Sequence, residues 1–459
     1  MWKKYLKIKA TENTTRRFIN KYGIVKTLRE CGFRKEKGIG TFEIMLFLMS
    51  IVFTCKNLYR KFISGEMDFG KDVIYRMLNS PQTNWRKFLL KISYKAYKFT
   101  RPLTSENREE CFVLDDTAYN KNRSKKLELL AKKFDHTTMK YYNGFSCATV
   151  GWTDGNTFLP IGFDLMSSQD DKNIKCDVNA EIDKRTCGYK ARVRSRQSTL
   201  EVAENLIKQA LSVGINAQYL LMDSWFSFAS FIQKIVDLKL NVICGLKDLK
   251  NQFYIYNDKK YTLGELFKTI EKSEFHGTKN IYFATVKAEL VCTNETTIPI
   301  KITFLKTKGK KREWFAIGST NTEISEEEIT RIYGKRWSIE VFFKTAKSDL
   351  KLAKEFQGRS FDMLCAHTTI VFLRYIMLAV EARSDCDDRS IGGLFYLMID
   401  ELADIKLDES LEFIINSMFN AMGKTFNPTD DNMRDFSTAF IGSLPSHLRE
   451  KFIIQNCES

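Results

Sequence analysis

The stretch from Ser325 to Leu352 reads SEEEITRIYGKRWSIEVFFKTAKSDLKL, and its apolar residues recur at helical spacing. Ile339, Phe342, Phe343, Ala346 and Leu350 form one stripe, and at 100° per residue Tyr333, Arg336, Glu340 and Lys347 share an arc of ~60° beside it. Ser325 and Glu328 have capping-box spacing at the start, and Gly334 is placed to bend or break the helix. The stripe predicts burial against a sheet. The polar edge suits either a salt-bridged solvent face or a site where Glu340 holds a metal while Arg336 and Lys347 neutralise phosphate oxygens.

Two more carboxylate positions are set by strands. Cys111-Phe112-Val113-Leu114 reads as a short buried strand followed directly by Asp115 and Asp116. Gln218 to Met222 reads as another, followed by Asp223. Each acid alone has an ordinary explanation: a turn at Asp115-Asp116-Thr117, a helix cap at Asp223, an ion pair of Glu340 with Arg336 or Lys344. Together, two strand-end aspartates and a helical glutamate can hold two divalent ions about 3.5–4 Å apart, the arrangement that phosphodiester chemistry needs.

The surrounding pattern predicts a mixed α/β sheet. Thr149–Trp152 and Thr157–Phe163 flank the hairpin signal Asp154-Gly155, and a helix from Ser227 to Leu240 leads to a strand at Asn241–Gly245. Residues 251–320 are β-rich, with strands expected at Phe253–Tyr256, Ile281–Lys287, Ile300–Leu305 and Trp314–Ile317 and a helical piece at Leu263–Lys272. They read as an insertion. Residues 1–103 read as helical, with a linker at Ser105-Glu106-Asn107-Arg108, and a helix-turn-helix around Asp72–Phe99 breaking at Asn79-Ser80-Pro81 is one expectation.

Charge is unevenly spread. The net charge is +16; residues 1–103 carry 23 Lys and Arg against 7 Asp and Glu, whereas residues 386–459 carry 6 against 13. So basic a segment points to a polyanion, nucleic acid before a membrane surface. In the helix containing Phe88, Leu89, Ile92, Ala96 and Phe99, the residues Lys87, Lys91, Lys95 and Lys98 form a cationic row, read as facing DNA phosphates. A second cluster, Lys184, Arg185, Lys190, Arg192, Arg194 and Arg196, reads as a loop tracking DNA.

Other classes recede. The 11 cysteines stand singly and the four histidines are not spaced with them as ligands, which argues against a disulfide framework or zinc site and for a reducing cytoplasm. No apolar signal region opens the chain, and the apolar runs Ile44–Phe53 and Thr368–Val380, the latter interrupted by Arg374, read as buried helices rather than membrane spans. Asp135-His136 is weak as a general base.

Tyr333-x2-Arg336-x3-Glu340-x6-Lys347 resembles the signature of bacterial insertion-sequence transposases, the cut-and-paste DDE group with a β-rich insertion before the last acid. Val113-Leu114-Asp115-Asp116-Thr117 and Leu221-Met222-Asp223-Ser224-Trp225-Phe226 resemble that group's first two acid-bearing strands, and the likeness covers roughly residues 110–380. It implies a ribonuclease-H-like fold in which Asp115, Asp223 and Glu340 are catalytic and bind two Mg²⁺ or Mn²⁺ ions. Asp116 remains open as the first ligand, the group's pattern favouring Asp115. It further implies that Tyr333, Arg336 and Lys347 contact the DNA end, that an aromatic such as Trp314 or Tyr254 stacks on an extruded base, and that a homodimer joins two terminal inverted repeats. The protein would be cytoplasmic and nucleoid-associated, act on element ends and target DNA, and need no membrane.

The expected organisation is α/β: a helical DNA-binding domain at 1–104, a ribonuclease-H-like catalytic domain at 105–250 and 321–385 split by the insertion at 251–320, and an acidic helical segment at 386–459. A structure-selective nuclease on the same fold and a non-catalytic DNA-binding derivative of a transposase are the alternative readings.

Overall fold

In the computed structural model, residues 6–454 are described except 9–10, 12, 36, 55, 64, 66–68, 106–107, 136–137, 180, 271–273, 278–280, 308–313, 385–389 and 427. Half of the expected linker and His136 of the Asp-His pair lie outside them. Strand β1 (Leu6–Ile8) precedes six helices: α1 (Thr14–Lys21), α2 (Ile24–Glu30), α3 (Thr41–Ser50), α4 (Leu58–Ile63), α5 (Lys71–Leu78) and α6 (Trp85–Thr100). The α/β body begins at β2 (Cys111–Asn120) and runs through β3 (Ala131–Asp135), β4 (Lys140–Thr153) and β5 (Phe158–Met166). Then come α7 (Cys187–Arg194), α8 (Thr199–Ser212), β6 (Tyr219–Met222), α9 (Ala229–Asp237) and β7 (Asn241–Leu246).

β2 pairs antiparallel with β4 and parallel with β6, and β6 pairs parallel with β7. β3 and β5 share the far edge of β4, taking its first and second halves. The order β5-β4-β2-β6-β7, with helices α8 and α9 in the parallel connections, is a mixed α/β sheet consistent with the ribonuclease-H-like expectation. All nine residues of β5 are buried, because helices cover both faces. On one side Gly162 lets α8 approach, since a Cβ there would stand 2.7 Å from Leu206 Cδ2. The β4–β5 connection is longer than a two-residue hairpin turn: only Gly155 takes positive φ (+93°), while Asp154 Oδ1 accepts the Asn156 and Thr157 amides at 2.9 and 2.7 Å.

The β-rich stretch is sewn onto this sheet. It comprises β8 (Tyr254–Tyr256), β9 (Lys259–Tyr261), α10 (Leu263–Thr269), β10 (His276–Gly277), β11 (Ile281–Val291), β12 (Thr297–Thr307) and β13 (Trp314–Ser319). β13 pairs antiparallel with β7, so the hydrogen-bond ladder continues outward through β12 and β11 to β8 and β9, making one sheet of 12 strands. The chain then forms α11 (Glu326–Gly334), α12 (Trp337–Ser348), α13 (Phe361–Ser384), α14 (Ile391–Phe426), α15 (Asp430–Ser443), α16 (Ser446–Arg449) and β14 (Phe452–Ile454).

The first helical segment does not stand apart. One apolar core runs from Phe18 to Met398, and α6 buries ten of its 16 residues against β5, α13 and α2. That packing corrects the helix-turn-helix expectation: α5 and α6 follow one another across the predicted break, but α6 is a core helix and cannot enter a groove. α13 is long and apolar enough to cross a membrane, yet 94% of its apolar window is buried inside the protein. The charge imbalance is partly internal too. β1 pairs with β14, Thr14 donates to Glu401 at 2.9 and 2.6 Å, and Arg17 pairs with Glu381. The two ends of the chain therefore meet, and Arg17 near the beginning is paired with an acid of α13.

Candidate active site

The parallel register sets Leu114 of β2 against Met222 of β6, so the next residues, Asp115 and Asp223, emerge side by side. β2 does not end at Leu114 as expected; it continues to Asn120, and Asp115 and Asp116 lie within it. Successive strand residues face opposite sides, which separates the two. Asp115 and Thr117 face α12, whereas Asp116 accepts a hydrogen bond from Ser146 of β4.

The 325–352 segment is two helices rather than one. Its capping box at Ser325 and Glu328 is formed, and Ile339, Phe342, Phe343, Ala346 and Leu350 are buried. From Lys335 to Ile339, however, the ladder tightens to i→i−3 bonds. Lys335 and Arg331 meanwhile anchor the junction on Glu109, whose carboxyl Arg331 holds down at about 2. This shift breaks the single 100° wheel, but the four polar groups still converge on β2. Arg336 reaches Asp115 Oδ2 at 3.4 Å and pairs with Glu340, and its guanidinium lies 5.8 Å from the Tyr333 ring. Lys347 Nζ donates to Thr117 Oγ1 at 2.6 Å. Gly245 of β7 makes room for Tyr333, since a Cβ there would stand 3.1 Å from its hydroxyl.

Burial, and then the neighbouring charge of Asp223, pushes the Asp115 carboxyl up to about 7. Burial raises Asp223 as well, opposed by the Trp225 amide that donates to it at 2.9 Å. Burial pushes the Tyr333 hydroxyl up to about 12 and lowers Lys347. The site thus concentrates negative charge that its own residues only partly neutralise. Among the described residues no three acid, histidine or thiol groups are already gathered around a metal position, because Arg336 stands between Asp115 and Glu340. The donor set, three carboxylates, is nonetheless the hard oxygen chemistry that suits Mg²⁺ or Mn²⁺.

Of the expected DNA contacts, Arg192 is held inside the protein, and several others are paired with acids of the chain while staying partly exposed. The 187–194 stretch is helix α7, not a loop. Arg192 is 4% exposed and bound to Glu128 at 2.5 Å, Asp362 at 2.8 Å and the Gly188 carbonyl at 2.9 Å. Arg194 lies 3.4 Å from Asp164, and Arg196 bonds Asp171 at 2.5 Å; Lys190 is exposed. In α6, Lys95 donates to the Tyr22 carbonyl and Thr27 Oγ1 at 2.6 and 2.8 Å, and Lys91 pairs with Glu30 at 2.6 Å, while Lys87 is exposed. Two of the four lysines of the α6 row, Lys91 and Lys95, are thus tied to α2 and the end of α1, while Lys87 and Lys98 face solvent.

Of the aromatics, Tyr254 is fully buried, and Trp314 stacks on Phe267 with centroids 4.6 Å apart. Exposed rings close in sequence to the site residues include Trp225, two residues after Asp223, and Trp337, next to Arg336, at 40% and 62% exposure. Sequence reading missed both as site residues, although each directly follows a motif position or its neighbour. It also passed over the cations Lys121, Arg123, Lys125 and Lys126, whose signal is four positive charges in six residues.

Residues 54–257, which include Asp115 and Asp223, match the family described as DDE superfamily endonuclease. Residues 189–377, which include Asp223, Glu340 and Lys347, match the family described as transposase DDE domain. Together these matches support a DDE transposase and indicate transposase or endonuclease activity, and the superfamily they match typically uses divalent metal ions. No curated protein matches the chain.

Proposed function

We propose that this protein is a cut-and-paste DNA transposase, which hydrolyses DNA at the ends of a mobile element and joins the freed 3′-hydroxyl to target DNA. The observation that carries the reading is the placement of Asp115 in β2 beside Asp223, the residue that follows the parallel strand β6, with Arg336 linking Asp115 to Glu340. Asp115, Asp223 and Glu340 would hold two Mg²⁺ or Mn²⁺ ions. Bound there, such ions supply the positive charge that activates water or a 3′-hydroxyl and stabilises the leaving oxygen.

The chain's own residues do the rest. Asp115 must give up its carboxyl proton before it can act as a ligand. Arg336, released from Asp115 and Glu340, becomes available to a phosphate of the DNA end, with Tyr333 packing against its guanidinium and Lys347 adding a second cation. Trp225 and Trp337 offer flat faces to an unpaired base. Of the two neighbouring acids, Asp115 is preferred as first ligand because Asp116 is engaged on the other face by Ser146. Terminal inverted repeats and target DNA are the proposed substrates, a homodimer on DNA the working assembly, and a bacterial nucleoid its setting.

The test is a cleavage assay with Mg²⁺ or Mn²⁺ on DNA carrying the repeats that flank the gene, comparing the native chain with Asp115→Ala, Asp223→Ala and Glu340→Ala. Cutting at the repeat boundary that each substitution abolishes, with joined products, supports the transposase. Cutting without joining, indifferent to the repeat, points to a structure-selective nuclease. End binding without metal-dependent cutting points to a DNA-binding derivative.

A further inference from the structure

Beyond the carboxylates, β2 is tied to the following segment at successive points. Arg336 meets Asp115, Lys347 meets Thr117, and Lys121 Nζ donates to the Ala353 carbonyl at 2.7 Å. From Asp115 to Lys121 the strand covers ~20 Å, at ~3.3 Å per residue. At its end the segment 351–359 stands as a ridge with a groove on each side. Lys351 and Ala353 both take positive φ (61° and 63°), a costly backbone held by the Leu352 amide on the Ala346 carbonyl and by Lys121. The far end is fixed as well, with the Glu128 amide on the Arg359 carbonyl at 2.9 Å and the Phe361 amide on Glu128 at 2.8 Å.

The grooves measure about 900 and 570 Å³. Arg123, Lys125, Lys126 and Arg359 line the larger, Arg60 and Lys351 the smaller, and Lys354 lines both. The one acid that lines either, among the described residues, is Glu355, and its carboxylate is turned inward. Arg374, fully buried, holds it at 2.8 and 3.1 Å, and His367 lies 3.5 Å away. Its side chain is 4% exposed, so among the described residues that line the grooves the outward-facing charges are cationic.

We infer that this ridge and its two grooves bind the phosphate backbone of duplex DNA about six base pairs from the scissile phosphate, a proposal resting on the transposase reading. The ~20 Å offset corresponds to roughly six steps of ~3.4 Å along one strand. The contacts are to phosphates, so they add affinity and orientation but read no sequence.

The test is the salt dependence of binding between 50 and 200 mM salt, for the native chain and the triple variant Arg123→Gln/Lys125→Gln/Lys126→Gln. The probes are duplexes of one sequence reaching about 3 or about 15 base pairs past the cut, anionic phospholipid vesicles and a single-stranded RNA. Because the variant neutralises three fewer phosphates, its affinity for the long duplex should fall ~40-fold less across that salt range than the native chain's. The short duplex should show little difference. The charge-preserving Arg123→Lys/Lys125→Arg/Lys126→Arg variant should restore the native slope, which separates removal of charge from misfolding. An unchanged slope on the long duplex overturns the inference, as does a loss seen only with vesicles or RNA. If the native chain cuts repeat ends but the slope does not move, this inference fails while the transposase reading stands. If the slope moves but no metal-dependent cutting occurs, the groove stands and the DDE chemistry fails.

Discussion

Arg192→Ala should unfold the protein more readily and leave its hold on DNA almost unchanged. The sequence placed Arg192 in a cationic cluster, but its guanidinium is 4% exposed and serves two acids, Glu128 and Asp362, that are themselves only 13% and 8% exposed. Removing the cation strands both carboxylates in a dry pocket, and breaking a buried pair in this way costs about 3–5 kcal/mol. Glu128 keeps its amide donors from Phe361 and Asn179, which argues for the lower half of that range. At a urea dependence of ~3 kcal/mol per molar, the unfolding midpoint near pH 7 should drop by on the order of 1 M.

The acid side supplies a second check. Glu128 is buried, which raises its carboxyl, but the Arg192 and backbone hydrogen bonds outweigh burial and hold it below the usual range. A carboxylate depressed in the folded state contributes stability that is present above its unfolded value and is lost as pH falls through its folded one. The gap between native and variant midpoints should therefore narrow as pH falls below ~4.5 and Glu128 takes up a proton. A midpoint shift of under ~0.2 M, together with a DNA-binding salt slope reduced by about one, would refute the reasoning and return Arg192 to the DNA surface.

Three further outcomes are expected. Glu340→Ala should abolish cleavage yet leave end binding largely intact, by gel shift on repeat DNA; loss of both together would mean Glu340 supports the fold. Asp115, held up at about 7, favours its protonated form in the folded state, so its contribution is fully present below the free value near 4 and is lost as pH rises from there to about 7, and metal-free Asp115→Asn should be more stable than the native chain by up to about 4 kcal/mol at pH 8 but only by about 1.5 kcal/mol at pH 5, read by thermal unfolding. Added Mg²⁺ should raise the melting point of the native chain but not of that variant. Lys95→Met should cost about 1–2 kcal/mol in thermal unfolding by freeing the Tyr22 carbonyl and Thr27, with no change in salt slope on DNA; a reduced slope would place Lys95 at phosphate.

The sequence by itself determined the local elements and the candidate chemistry. Runs of buried β-formers marked β2, β6 and β7, the capping box marked the start of α11, and the spacing of Ile339, Phe342, Phe343 and Ala346 fixed which side of α12 is buried, because strand and helix periods are local properties of the chain. The same patterns singled out the pair Asp115 and Asp116, Asp223 and Glu340. Tertiary structure alone decided which charges face solvent. Arg192 and Lys95 are as basic in sequence as Lys190 and Lys87, but their partners, Glu128 and Asp362 for one and the end of α1 for the other, lie tens to hundreds of residues away. Strand register across β2, β4 and β6 likewise set Asp115 toward α12 and Asp116 toward Ser146, a choice no spacing along the chain can make. The inward turn of Glu355 onto Arg374 depends on residues 19 apart meeting in the core, and with it the cationic character of the ridge.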